Sequence, residues 1–117
     1  MADITVRTLV DQLDLQVGAG ADRLDEPVTG GYASDLLSCV MAGAQAGDVW
    51  VTLQAHMNVV AVAALLDLAA VVITEGAQPD ASTLRRADER HIPVLMTEES
   101  TFGVVARLAA LGVTGSR

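Results

Sequence analysis

From residue 49 onward, short aliphatic runs alternate with stretches of helical periodicity, and that alternation leaves few folds open to the chain. Val49-Trp50-Val51-Thr52-Leu53, Ala70-Val71-Val72-Ile73 and Val94-Leu95-Met96 read as strands, rich in β-branched residues and bounded by polar turns. Between the first two, residues 57–69 read as a helix apolar nearly all round, and hence buried. Pro79-Asp80 opens another helix, with Asp80 as its cap and Leu84 and Ala87 facing inward. Pro93 ends it by forcing Ile92 extended. Ser100 caps a last helix, with Phe102, Val105, Leu108 and Leu111 inward and Gly112 after its end. Strands this uniformly apolar are covered on both faces, as in parallel sheets, and the strand–helix order implies right-handed crossovers.

The first half of the chain fits the same plan. Thr5 caps a helix over residues 6–13, and Leu15 and Val17 alternate as a short strand ended by Gly18-Ala19-Gly20. Residues 21–27 are charged and contain Pro27, so they form a surface loop. A second extended piece at about 27–32 leads through Gly30-Gly31 to Ser34. The double glycine lets backbone approach another backbone or a ligand closely, or take up positive φ. From Ser34 a helix runs to about Ala46, with Leu36, Leu37, Val40, Met41 and Ala44 as its apolar stripe and Gly47 as its stop. The expected fold is therefore α/β: a single three-layer domain over residues 1–117, with a mainly parallel sheet flanked by helices.

Composition narrows the partners. Apolar residues make up 51% of 117, yet only 3% are aromatic, so the core must be built from Val, Leu, Ala and Ile. Fifteen acidic against seven basic residues give a net charge of -8, and every base is Arg. That field repels phosphate backbones and anionic bilayers, so neither nucleic acid nor membrane is an expected partner. A single nucleotide can still be held locally by a helix N-terminus and one Arg. Cys39 has no second cysteine to pair with, which fits a reducing compartment, and its apolar neighbours make it a small buried hydrophobe. The first ten residues lack a signal-peptide pattern. The longest apolar run, Val59 to Ile73, is broken by Asp67 and falls short of the roughly 20 residues of a spanning helix. The expected location is cytoplasmic.

In an open parallel sheet, ligands bind beyond the carboxyl ends of the strands. The segments leaving those ends are polar, and they nominate Thr29, Gly30, Gly31, Ser34, Asp35, Thr52, Gln54, His56, Asn58, Thr97, Ser100 and Thr101 as ligand-binding candidates. Ser34, Asp35, Asn58 and Ser100 serve equally well as helix caps. Gln54 and His56 are not favoured caps; His56 suits either a ligand or a buried carbonyl. His91, beside Arg90 at a helix end, reads as structural.

Signatures of catalysis are absent. There is no Gly-x-x-x-x-Gly-Lys, no lysine for a Schiff base and no Gly-x-Ser-x-Gly elbow. Gly18-Ala19-Gly20 is half a dinucleotide fingerprint, and two histidines and one cysteine, widely separated, make no zinc pattern. Glu98 and Glu99, as sequence neighbours, do not face one site and complement a helix dipole instead. No metal, cofactor or catalytic residue is expected. An acid–base pair of His56 with Asp35 or Glu75 is the least supported reading.

Several segments together resemble the DRTGG domain family, from about Leu9 to Val113. Thr29-Gly30-Gly31 match its name motif, while Pro27-Val28 stand where its Asp-Arg would be. Tyr32-Ala33-Ser34-Asp35-Leu36-Leu37-Ser38, Gly47-Asp48-Val49-Trp50-Val51-Thr52, His56-Met57-Asn58-Val59-Val60-Ala61, Ile92-Pro93 and Ser100-Thr101-Phe102 are family-like as well. The resemblance implies a fold like the N-terminal domain of HPr kinase/phosphatase, where the domain accompanies catalytic parts without performing the catalysis. Relatives occur in phosphotransacetylases and between CBS modules of regulated pyrophosphatases, where the domain assists dimerisation. The implied function is a non-catalytic regulatory or ligand-sensing domain, acting as a homodimer and binding a nucleotide or small metabolite at the rim. The alternative is a protein-interaction subunit of a partner enzyme or kinase with no small-molecule ligand. The two part at the rim: if Gln54, His56 and Thr97 are all internally hydrogen-bonded, the interaction reading wins. The dimer surface is expected on the apolar helix faces of Val59 to Leu66 or Phe102 to Leu111.

Overall fold

The computed structural model describes residues 3–115, so the outermost residues of the expected 1–117 domain lie outside it. Five strands form one sheet: β1 (Gln16–Ala19), β2 (Gly30–Ala33), β3 (Asp48–Thr52), β4 (Ala70–Ile73) and β5 (Val94–Met96). Their order is β1-β5-β4-β3-β2, with β2 to β5 parallel and β1 antiparallel to β5. Five helices flank the sheet: α1 (Val6–Leu13), α2 (Leu37–Gly43), α3 (Asn58–Leu66), α4 (Ala81–Glu89) and α5 (Thr101–Leu111). A short 3-10 turn spans Ala21–Arg23. The chain is thus an α/β domain of three layers.

Two apolar cores lie on the two faces of the sheet. On one, α2, α3 and α4 supply Val40, Val59, Val60, Ala63 and Ala87 to pack on Trp50, Val71, Ile73 and Val94. On the other, α1 and α5 supply Val6, Leu9, Leu13, Val104 and Leu108 to pack on Val49, Val51, Val72 and Leu95. Adjacent residues of β3 and β4 enter opposite cores, and every residue of both strands is buried. A central strand buried on both faces loses the alternation of polar and apolar residues, which is why these runs are continuous in the sequence.

The helix starts follow local chemistry. Thr5 Oγ1 accepts from Thr8 N–H while Thr8 Oγ1 accepts from Thr5 N–H, a reciprocal cap that fixes the first turn of α1. Asp80 caps α4 by accepting from Thr83 N–H at 2.8 Å, and Ser100 caps α5 by accepting from Gly103 N–H at 3.0 Å. Gly112 closes α5 at φ 103, in the left-handed region expected of it.

Elsewhere the structure departs from expectation for identifiable reasons. Gly30 and Gly31 lie inside β2 in extended conformation, and neither has positive φ. Likewise Gly18 and Ala19 belong to β1, where the register shifts between Val17 and Ala19 and a Cβ on Gly18 would press on Met96 and Leu84. Helix α2 covers only residues 37–43: Ser34 and Asp35 are drawn into turns, and Ala44 turns extended at ψ 150. Gly47 therefore does not stop that helix; at φ 86 it sits in the turn where Gln45 N–H donates to Asp48 Oδ2. Cys39 is exposed rather than buried, because α2 turns Val40 and not Cys39 toward the sheet. Helix α3 exposes Ala61 and Leu65, so it is apolar all round but covered on one side only. In α5 the inward stripe is Val104 and Leu108; Phe102 is 86% exposed and Val105 lies at the surface. No helix among the described residues is long and apolar enough to cross a membrane.

Candidate functional site

Parallel strands β2 to β5 all end on one edge of the sheet, and the turns beyond them form the expected polar rim. Ser34 and Asp35 follow β2, Thr52 closes β3 with Gln54, His56 and Asn58 after it, and Thr97, Ser100 and Thr101 follow β5. Thr29 and Gly30 do not join them: they stand at the opposite edge, where Thr29 N–H donates to Gly47 O and Gly30 pairs with Asp48. Strand direction decides this, because both residues open β2 instead of closing it. Gly31 is one residue further along and lies at the floor of a groove described below.

At the rim, side chains are committed to one another. Asp35 Oδ1 accepts from Thr52 Oγ1 at 2.8 Å and from Leu53 N–H at 2.9 Å, so one carboxylate ties the end of β2 to the end of β3. Thr52 Oγ1, wholly buried, accepts in turn from Gln54 N–H, and Gln54 Nε2 donates to Asp35 O. Ser34 O accepts from the Trp50 indole N–H at 2.9 Å, which satisfies the polar atom of a fully buried ring. Ser34 Oγ accepts from Leu36 N–H. His56 Nδ1 accepts from Asn58 N–H at 3.1 Å, so its hydrogen-bond partner is neither Asp35 nor Glu75. Asn58 does not cap α3; it is the first helical residue, behind Met57.

The other half of the rim is knitted in the same way. Thr97 Oγ1 accepts from Glu99 N–H, and Thr101 Oγ1 lies 2.6 Å from Thr74 Oγ1. Glu75, held at φ 62, extends its carboxylate to Thr101 N–H at 2.9 Å, capping α5 from across the rim. Thr74 and Glu75 sit in a segment whose polarity marks it in the sequence, yet their partners 26 and 27 residues away are visible only in the fold. Glu99 also binds Arg107 at 2.8 Å, and Arg107 donates to Gln12 O at 2.8 Å, joining α5 to α1. His91 lies outside the rim and holds a side-chain hydrogen bond: its Nδ1 lies 2.6 Å from Asp22 Oδ2, and that bond holds the Asp22 carboxyl below its usual range.

A further concavity lies away from these polar groups. It is an apolar groove of about 430 Å³ between edge strand β2 and α5, lined by Gly31, Ala33, Val51, Val105, Ala109 and Val113 among others. Two helices cover the α1/α5 face of the sheet and leave β2 bare there, so Gly31 and Ala33 floor the groove. The segment after α5 closes one wall, with Gly31 N–H donating to Thr114 O at 3.0 Å. A Cβ on Gly31 would stand 3.3 Å from Val113, so the glycine admits this segment close to the strand. The sequence marks Gly31 for close approach but not the rest of the groove, whose lining is mostly apolar. The available signal was in α5, which has more apolar positions than one buried face requires.

Fold and rim together define a class: a mostly parallel α/β module whose strand-end rim is stitched by its own side chains. The chain belongs to the DRTGG domain family, whose model matches residues 28–111. Among solved structures it is similar to the CBS and DRTGG domains of the regulatory region of Clostridium perfringens pyrophosphatase, complexed with the activator diadenosine tetraphosphate. The TM-score is 0.70 at 16% identity, over 86% of this chain and 44% of that one, so this chain spans less than half of that structure. No curated protein matches the chain.

Proposed function

We propose that this chain is a non-catalytic regulatory domain that works through protein contacts, as a homodimer that bears on a partner enzyme or kinase in the cytoplasm. The observation that carries this reading is the internal bonding of the rim, whose side chains pair with one another and with nearby backbone. Gln54, His56 and Thr97, the side chains best suited to a ligand, each hold an internal hydrogen bond. A ligand using the same atoms would have to displace those bonds, so its own contacts there bring only the difference between two hydrogen bonds. Asp35, Glu75, Glu98 and Glu99 also surround that edge with carboxylates, which oppose a polyphosphate.

A second reading, a nucleotide sensor, is favoured by one observation: the similar pyrophosphatase regulatory region was solved with a dinucleotide activator. Native mass spectrometry of protein purified gently from cells separates the two. A dimer without added mass, unchanged by added nucleotides, is the expected result. A dimer that retains a nucleotide-sized mass overturns the ligand-free reading in favour of the sensor.

A further inference from the structure

Helix α5 has an outward surface unlike that of an ordinary solvent-facing helix. Phe102, Val105, Ala106, Ala109 and Ala110 all face out, and no acidic residue occurs between Thr101 and Leu111. The helix has one charge, Arg107, held by Glu99 and by Gln12 O on the α1 side. A helix of a soluble domain normally carries polar residues opposite its buried stripe. Here the second stripe is apolar too, and it borders the groove over Gly31 and Ala33.

Two features of this surface are complementary. Phe102, the chain's single Phe and 86% exposed, is a knob with nothing packed over it. The groove is a hole built partly from the same helix, at Val105 and Ala109. Phe102 and Ala109 are seven residues apart, close to two helical turns, and so share a stripe about 10 Å long. When a knob and its hole lie on one stripe, a two-fold axis midway between them seats each knob in the other copy's hole. Such a contact is isologous and closes on itself.

The geometry points to a second copy of this chain as the occupant of the groove. Two α5 helices pack antiparallel about Val105 and Ala106, and each Phe102 enters the groove beside Ala109 of the partner subunit. The small side chains of Ala106, Ala109 and Ala110 allow the helix axes to approach to about 8 Å. Charge favours the same face: two copies each carrying -8 repel, and they meet best where neither presents a carboxylate. Helix α3 carries no charge at all and exposes Leu65, but the apolar groove is lined by α5 and not by α3. This inference rests on the homodimer in the proposed function and names its surface.

Sedimentation velocity on the whole chain tests it, with circular dichroism to verify that each variant is folded. Phe102→Asp and Ala109→Glu alter exposed positions and are expected to convert the dimer to a folded monomer, weakening association at least tenfold. Leu65→Asp on α3 is expected to leave the dimer intact. In a Cys39→Ser background, Ala106→Cys oxidised with copper phenanthroline is expected to give a disulfide-linked dimer, because residue 106 lies near the axis. If the wild type is dimeric, and both α5 variants remain dimeric with no cross-link, the α5 interface is wrong while the homodimer stands. Dissociation by Leu65→Asp alone transfers the interface to α3 and likewise overturns it. A wild type that stays monomeric at every concentration overturns the homodimer itself, and the α5 interface with it.

Discussion

Gly47 has φ 86, and a Cβ there would run into Thr29 Oγ1. The family-like Thr29 thus serves packing at the amino edge of the sheet, where its own N–H donates to Gly47 O. Two costs meet in Gly47→Ala: the left-handed backbone, about 1–2 kcal/mol for an L-residue, and the collision with the Thr29 side chain. Urea denaturation should show a loss at least that large. Adding Thr29→Ala should recover the steric part and leave the backbone part, so the double variant falls between the single variant and wild type. An unchanged midpoint for Gly47→Ala would remove the close-approach argument at this edge. Residue identity alone marked the Thr29-Gly30-Gly31 segment as special, since glycine pairs imply crowding or unusual backbone. Which glycine has positive φ was not legible, because that depends on where β2 begins. Gly30 and Gly31 are extended members of the strand, and the demand falls sixteen residues further on.

Strands were legible as elements because burial on both faces writes itself as uninterrupted apolar sequence, as at Ala70 to Ile73. Helix faces were not. In α5 the sequence offers Phe102, Val104, Val105, Leu108, Ala109 and Leu111, enough for two stripes, and periodicity cannot say which stripe meets the sheet. Caps were legible where one side chain does one local task, as Asp80 does at the start of α4. Its carboxyl is held below the ordinary 3.8, first by the Thr83 backbone N–H and then by the Ser82 hydroxyl. The sign follows from linkage. A carboxyl whose pKa is lower folded than unfolded contributes stability that is complete above 3.8 and lost as pH falls through the folded value. Asp80→Asn keeps an acceptor for Thr83 N–H and removes the titration, since Asn caps as well as Asp. Stability followed by urea from about pH 6 down to about pH 3 should therefore decline less steeply in Asp80→Asn than in wild type. Parallel acid limbs would mean that the Asp80 carboxylate does not distinguish the folded state. The rim bonds escaped the sequence for a related reason: Asp35 to Thr52 and Glu75 to Thr101 join residues that only the strand order brings together.

The whole molecule carries a net charge of -8 and has no lysine, so its long-range field works against meeting any acidic partner, its own copy included. At short range, α5 and the groove beside it offer an apolar surface with no carboxylate among α5 residues. Association is then a contest between burial of apolar area, which salt hardly alters, and charge repulsion, which salt screens. Screening length falls from about 10 Å at 0.1 M ionic strength to about 3 Å at 1 M. The α5 dimer should accordingly tighten as sodium chloride is raised, with the dimer fraction in sedimentation equilibrium rising steadily across that range. Thermal stability should follow protein concentration for the same reason, because a contact made only by folded chains stabilises them by mass action. An interface held by cross-subunit ion pairs would behave in the opposite way, loosening as salt rises. Salt dependence therefore reports the chemistry of the interface before any residue is changed. Tightening in salt that disappears in Phe102→Asp assigns the apolar contribution to α5, whereas loosening in salt would send the search to the charged edges of the sheet.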